Sequence, residues 1–150
     1  MLAVVQRVKQ SSVEVDEQMV GSIKNGLNVL LGVCKGDTKK DAQVLADKIV
    51  NLRCFEDKNN KMNLSLLDVE GEILSIPQFT LCADCSKGRR PSFNPAASPG
   101  KAEKLYQHFN NCLQKQDLKL ATGQFGAFMQ VEISNDGPVT FVLDSNDLIN

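Results

Sequence analysis

Arg7, Gln78, Thr80, the backbone beside Pro77 and the carbonyls of Gly137 and Pro138 are the polar groups whose setting in this sequence points to chemistry. They are donors and acceptors, and no strong base is among them. The single histidine, His108, falls at the margin of an apolar helical stripe, so neither a Ser-His-Asp nor a Cys-His arrangement is available. No metalloenzyme spacing of His, Cys and Asp occurs, and no Gly-rich phosphate loop. A site built from what remains would bind a polar ligand and stabilise an oxyanion, and as an enzyme it would need help from its substrate.

The segments that carry these groups differ in pattern. Leu2 to Val8 is rich in β-branched residues and reads as a strand. Arg7 inside it is either surface-facing or held by a partner, because an unpaired buried charge is expensive and a guanidinium suits bracing carbonyls or carboxylates. Ser12 to Val15 and Met19 to Ile23 read as short strands, and Leu27 to Cys34 as a central one, which makes a meander. Thr38 with Asp41 three residues on is a capping-box variant. It opens a helix whose apolar stripe is Ala42, Leu45, Ala46, Ile49 and Leu52.

Glu72 to Leu81 begins as a strand and is interrupted by Pro77, which implies an edge or a bulge. That leaves Gln78, Phe79 and Thr80 at an irregularity where N–H groups can face a ligand; an edge strand with an exposed threonine fits equally. Lys87, Arg89 and Arg90 form the densest basic cluster, either a solvated loop or a phosphate contact. Ser98-Pro99-Gly100 opens a second helix with an apolar face of Ala102, Leu105, Tyr106, Phe109, Cys112 and Leu113. Phe125, Ala127, Met129, Val131 and Ile133 then alternate as a strand, and Val139, Phe141 and Leu143 complete a hairpin across Asn135 to Pro138. Asp136-Gly137 alone satisfies that turn, so Pro138 is surplus: an edge proline, or part of a Gly-Pro bond, where a cis peptide is cheap.

With 150 residues and no linker-like or repetitive tract, the chain reads as a single domain over 1–150. Hydrophobic content of 42% and charged content of 23% are those of a soluble globular protein. A net charge of −1 argues against nucleic-acid binding through a general positive field, so DNA is not an expected partner and any polyanion site is local. Five cysteines, an odd number, read as reduced thiols, with Cys82 and Cys85 an unlinked C-x-x-C pair. No stretch reaches the ~20 apolar residues of a membrane span, and the expected setting is cytoplasmic, with no metal and no cofactor.

Taken in order, Gln6-Arg7-Val8, Pro77-Gln78-Phe79-Thr80-Leu81, Gly88-Arg89-Arg90-Pro91-Ser92-Phe93, Gly123-Gln124-Phe125-Gly126 with Met129, and Asn135-Asp136-Gly137-Pro138-Val139-Thr140 resemble the D-aminoacyl-tRNA deacylases nearly end to end. The family's paired signatures, Ser-Gln-Phe-Thr and Gly-Pro-Val-Thr, are specific together and weak alone. The resemblance implies a mixed α/β fold of largely antiparallel sheets with two main helices in three β/β/α layers, assembled as a homodimer. It further implies that a cis Gly137-Pro138 loop enters the other subunit's active site, where its carbonyls take the α-amino group and leave no room for an L side chain. Selection by exclusion also predicts action on glycyl-tRNA. On the same resemblance Arg7 braces the loop, Phe125 and Met129 line the pocket for the terminal adenosine of the tRNA 3′ end, and the Gln78-Phe79-Thr80 backbone holds the ester carbonyl. The ribose 2′-OH assists water, and Thr80 positions rather than attacks, since no base that could activate it is evident.

The chain departs from the family at Pro77, where serine is usual; a related group of animal tRNA deacylases has Pro-Gln there but resembles the rest of the chain less. Two other readings follow. One is a catalytically weakened binder of tRNA 3′ ends or aminoacyl-adenosine; the other is a scaffold that uses the hairpin only to dimerise.

Overall fold

Residues 1–149 are described by a computed structural model. The opening apolar run becomes β1 (Leu2–Val15), one continuous strand where two short ones were expected, because the backbone stays extended through the exposed Lys9 and Gln10. β2 (Gln18–Ile23) folds back on residues 11–15 through a tight turn in which Asp16 and Glu17 take φ of 50° and 63°. β3 (Gly26–Gly32) pairs antiparallel with residues 2–8 of β1, from Leu2↔Gly32 to Val8↔Gly26. The expected meander is thus corrected: β3 lies beside β1, not beside β2.

Helix α1 (Lys39–Val50) starts at Thr38, whose Oγ1 accepts from the Lys40 N–H while Asp41 accepts from the Thr38 N–H at 2.8 Å. This is the capping box read from the sequence. After a small ribbon of β4 (Phe55–Glu56) and β5 (Met62–Leu64), β6 (Glu72–Pro77) runs parallel to β3. Helix α2 (Pro99–Gln114) leads to β7 (Leu120–Thr122), parallel to β6 on its other side. β6 is therefore interior, which excludes the edge, one of the two readings of Pro77. The proline is tolerated because it is the last residue of the strand, beyond the Ser75↔Thr122 pair that ends the β7 ladder, so its missing N–H costs no ladder bond there.

The last strand, β8 (Gln130–Asp144), pairs antiparallel with the free edge of β1 from Glu14↔Gln130 to Leu2↔Asp144. The expected hairpin is absent. Both of its arms pair with β1, and Asn135 to Val139 is a wide bulge within one strand. Phe125 to Met129 lies outside any strand because Gly126 turns the chain at φ 76°. Even so, Phe125, Ala127 and Met129 are half-buried and Phe128 is exposed, so the alternation holds where the ladder does not.

Two cores account for the layers. Ala3, Val5, Leu27, Val29, Leu31 and Ile73 meet Leu45, Ile49, Leu105 and Phe109 of the helices, each large side chain contributing about 1.5–3 kcal/mol by leaving water. On the other face Val8, Val13, Ile23, Leu74 and Ile76 pack with Val131 and Ile133, where the second half of β1, β2 and the start of β8 fold across the sheet. The result is helix, sheet and sheet: the mixed α/β, three-layer arrangement expected. No helix of the described residues is long and apolar enough to cross a membrane.

The cysteines correct another expectation. Cys34 and Cys82 are joined in a disulfide with Cα atoms 5.8 Å apart, while Cys54, Cys85 and Cys112 are free. A separation of 48 residues gives no local signal of the pairing, which exists only once β3 and β6 lie side by side.

Candidate functional site

Arg7 is 5% exposed in the first half of β1, and three groups hold it. Its Nη1 donates to the Cys54 carbonyl at 2.7 Å, its Nε lies 3.2 Å from Asp136 Oδ2, and its Nη2 lies 3.7 Å from Glu56 Oε1. The Nε contact has ion-pair distance without hydrogen-bond alignment, so charge attraction carries it. Of the two sequence readings, the partnered one is correct.

The partner is the bulge of β8. Gln6 pairs with Thr140 and Val8 with Asn135, so Asp136, Gly137, Pro138 and Val139 stand opposite Arg7 alone. Asn135 closes the neck, its Nδ2 donating to the carbonyls of Arg7 at 2.9 Å and Val139 at 3.0 Å. The Gly137-Pro138 peptide is cis, and both residues are exposed. Gly137 has φ 129°, a Cβ there would lie 2.7 Å from Val139 Cγ2, and Arg7 Nη2 would be 3.4 Å away. Val139 is buried and anchors the far side.

A second group gathers at the carboxyl ends of β3, β6 and β7. After Pro77 the Gln78 N–H donates to the Leu31 carbonyl at 2.8 Å, and the chain then winds into a single 3₁₀ turn, Phe79–Cys82. Within this turn the Leu81 and Ala83 N–H groups donate to Gln78 and Thr80 carbonyls, while the N–H groups of Phe79 and Thr80 precede any intra-turn acceptor. The Gln78 side-chain amide donates to Thr80 Oγ1.

Beside the turn is a hollow of about 450 Å³. It is lined by Gln78, Phe79, Phe125, Phe128 and Met129 together with Leu31, Val33, Ala102 and Tyr106. None of its lining side chains carries a formal charge. Tyr106 donates its hydroxyl to the Ser75 carbonyl at 2.8 Å, and its ring lies 6.0 Å from that of Phe125. Burial pushes the phenol pKa up, so it is neutral and a poor base. A larger polar hollow, of about 580 Å³, lies between β1, β2 and β8, and none of the expected site residues lines it.

The structure thus brings Gln78, Phe79, Phe125 and Met129 to one pocket, with Thr80 next to it. Arg7, Gly137 and Pro138 form a separate constellation that does not line that pocket in the same chain. Lys87, Arg89 and Arg90 lie in an exposed loop closed by reciprocal Asp84–Ser92 backbone bonds of 2.8 and 2.9 Å. The following Phe93 ring is 5.0 Å from that of Phe79, which places the end of the basic loop beside a residue that lines the pocket. Tyr106 and Ala102 were read only as a helix's buried stripe. The available signal was that Tyr106 is the only tyrosine in the chain and carries a polar tip on an apolar face.

Known proteins resemble this chain in sequence and fold. The family described as D-Tyr-tRNA(Tyr) deacylase matches residues 4–144. The chain is 59% identical over 145 residues to a D-aminoacyl-tRNA deacylase of Thermosipho africanus (strain TCF52B), covering 97% of each chain. It is 58% identical over 145 residues to one from Clostridium tetani (strain Massachusetts / E88), again covering 97% of each. Among solved structures, the c-Myc DNA Unwinding Element Binding Protein superimposes with a TM-score of 0.90 at 43% identity, covering 96% of this chain and 98% of that one. A probable eukaryotic D-amino acid tRNA deacylase matches in fold, with a TM-score of 0.82 at 18% identity over 95% and 98% of the two chains.

Proposed function

This chain belongs to the D-Tyr-tRNA(Tyr) deacylase family, hydrolases of the aminoacyl-tRNA ester bond, and on that premise we propose that it selects D-aminoacyl and glycyl esters by excluding L side chains. Two copies act together. The loop at Gly137 of the partner subunit and Pro138 of the partner subunit reaches the pocket beside Phe79, and its carbonyls accept the substrate α-amino group. The observation that supports this reading is the separation within one chain of an exposed Gly137-Pro138 loop from the pocket that needs it.

In the pocket, Phe125 and Met129 hold the terminal adenosine of the tRNA 3′ end, and the N–H groups of Phe79 and Thr80 take the ester carbonyl as it becomes an oxyanion. Gln78 fixes Thr80 by its side-chain hydrogen bond. The uncharged lining supplies no general base, so the ribose 2′-OH of the substrate assists the attacking water. Water adds to the carbonyl, the 3′ oxygen leaves with a proton, and D-amino acid and free tRNA are the products. Lys87, Arg89 and Arg90 meet phosphates of the acceptor end. The work is done in the cytoplasm, without cofactor, and DNA is not the partner, in contrast to what the name of one structural neighbour describes.

Release of D-tyrosine from D-tyrosyl-tRNA by the purified protein tests the reading; no release, with saturable binding of a D-aminoacyl-adenosine analogue, would replace it with the weakened binder. Pro77→Ser decides that alternative, because a disabled site should regain turnover. The position of Pro77 at a strand end favours the active enzyme.

A further inference from the structure

The Cys34–Cys82 link joins two segments that line the pocket. Cys34 follows the segment that carries Leu31 and Val33, and Cys82 is the last residue of the turn that begins with Phe79. Gly32 lies between: a Cβ there would be 2.9 Å from Leu81 Cβ, 3.1 Å from the Gln78 carbonyl oxygen and 3.3 Å from Cys82 Sγ. The turn is therefore seated directly on β3. Its start is held by the Gln78 to Leu31 hydrogen bond, while its end is held by the disulfide. Cys82 is 4% exposed, and Cys34 is half-buried and reachable from solvent.

We propose that Cys34 and Cys82 form a reversible thiol–disulfide site that takes small disulfides and dithiols and sets how firmly the Phe79–Cys82 turn is held; its effect on catalysis rests on the deacylase reading above. In the oxidising direction the Cys34 thiolate attacks one sulfur of a low-molecular-weight disulfide, forming a mixed disulfide and expelling one thiolate. The Cys82 thiolate then attacks the Cys34 sulfur, closing the link and expelling the second thiolate. The two protons lost by the protein thiols end on the two released thiols, and the small disulfide is the species reduced. A dithiol reverses the sequence and leaves as a cyclic disulfide. The remaining thiols are poor competitors or bystanders. Burial raises the pKa of Cys54 and Cys112, which disfavours their thiolates, and exposed Cys85 lies outside the link.

The test compares protein equilibrated with oxidised glutathione and with dithiothreitol, reading amide hydrogen exchange at Leu81 and Ala83 together with ester cleavage. Reduction should speed exchange at these amides about tenfold and lower kcat about 3- to 10-fold through looser positioning. Cys34→Ser and Cys34→Ala should sit at the reduced values in both buffers, and Cys85→Ser should respond as the unmodified chain does. Equal exchange in the two buffers overturns the proposal, as does a response that survives Cys34→Ser but vanishes in Cys85→Ser. If the amides respond while no ester is cleaved, the deacylase reading fails and this one stands. If ester is cleaved and the amides do not respond, this one alone fails.

Discussion

Arg7 Nε lies 3.2 Å from Asp136 Oδ2 at the point where residues 136–139 of one strand face a single residue of its neighbour. An arginine buried to this degree fixes the bulge's base electrostatically while Asn135 fixes its neck, so the Gly137-Pro138 tip projects from a rigid frame. Arg7→Met removes the Cys54 hydrogen bond and the ion pair while keeping much of the volume. It should cost about 1–3 kcal/mol in urea unfolding and lower kcat/KM about 10- to 100-fold through loop misplacement. Unchanged kinetics would remove Arg7 from the account.

Gly137→Ala acts on the tip itself. A methyl at φ 129° meets Val139 Cγ2 at 2.7 Å, so the loop must shift. The expected outcome is at least a roughly tenfold loss of kcat/KM on D-tyrosyl-tRNA, with urea stability changed far less because the residue is exposed. Steady-state kinetics and a denaturation curve on the same preparation separate the two effects.

Thr80→Val separates positioning from nucleophilic attack. Its hydroxyl accepts from Gln78 and faces no base, so the variant should keep turnover within about tenfold of the parent. A loss of about 10⁴-fold or more would assign the hydroxyl a covalent role.

Much of the architecture was readable from pattern. The capping box at Thr38 and both helical stripes, except Leu52, which lies past the Asn51 C-cap of α1, followed from spacing alone, because each depends on neighbours within one or two turns. The hairpin, the meander and the interior place of β6, for which Pro77 left an edge or a bulge open, did not. Asp136-Gly137 carries a hairpin's local signature, and only the β1 register shows both arms bound to one partner. Pro77 signalled an irregularity correctly but not its place at a strand end. The pairing of Arg7 with Asp136 and of Cys34 with Cys82 required the tertiary fold, since neither residue's own neighbourhood contains the other.

The basic loop should separate tRNA from minimal substrates. Arg89→Ala with Arg90→Ala should raise KM for aminoacyl-tRNA and flatten its salt dependence, leaving cleavage of a D-aminoacyl-adenosine nearly unchanged. Equal effects on both substrates would place these arginines in the pocket chemistry instead.

Acid should unfold the protein partly through Asp41. Burial alone would raise its pKa, but hydrogen bonds from Ser145 and Thr38 and the nearby N-terminal ammonium win and hold it below the ordinary 3.8. A depressed folded value means that the stabilisation is complete above the unfolded pKa and lost as pH falls through the folded one. Urea midpoints should therefore fall below pH 3.8, and Asp41→Asn should be less stable at neutral pH with a shallower acid limb. A parallel acid limb in the variant would exclude Asp41 as a contributor.

Selection by exclusion is the central claim, and parallel hydrolysis of D-tyrosyl-, glycyl- and L-tyrosyl-tRNA by one preparation tests it most directly. The account predicts that the D and glycyl esters are cleaved and the L ester is left intact. Cleavage of the L ester at the rate of the D ester would contradict it.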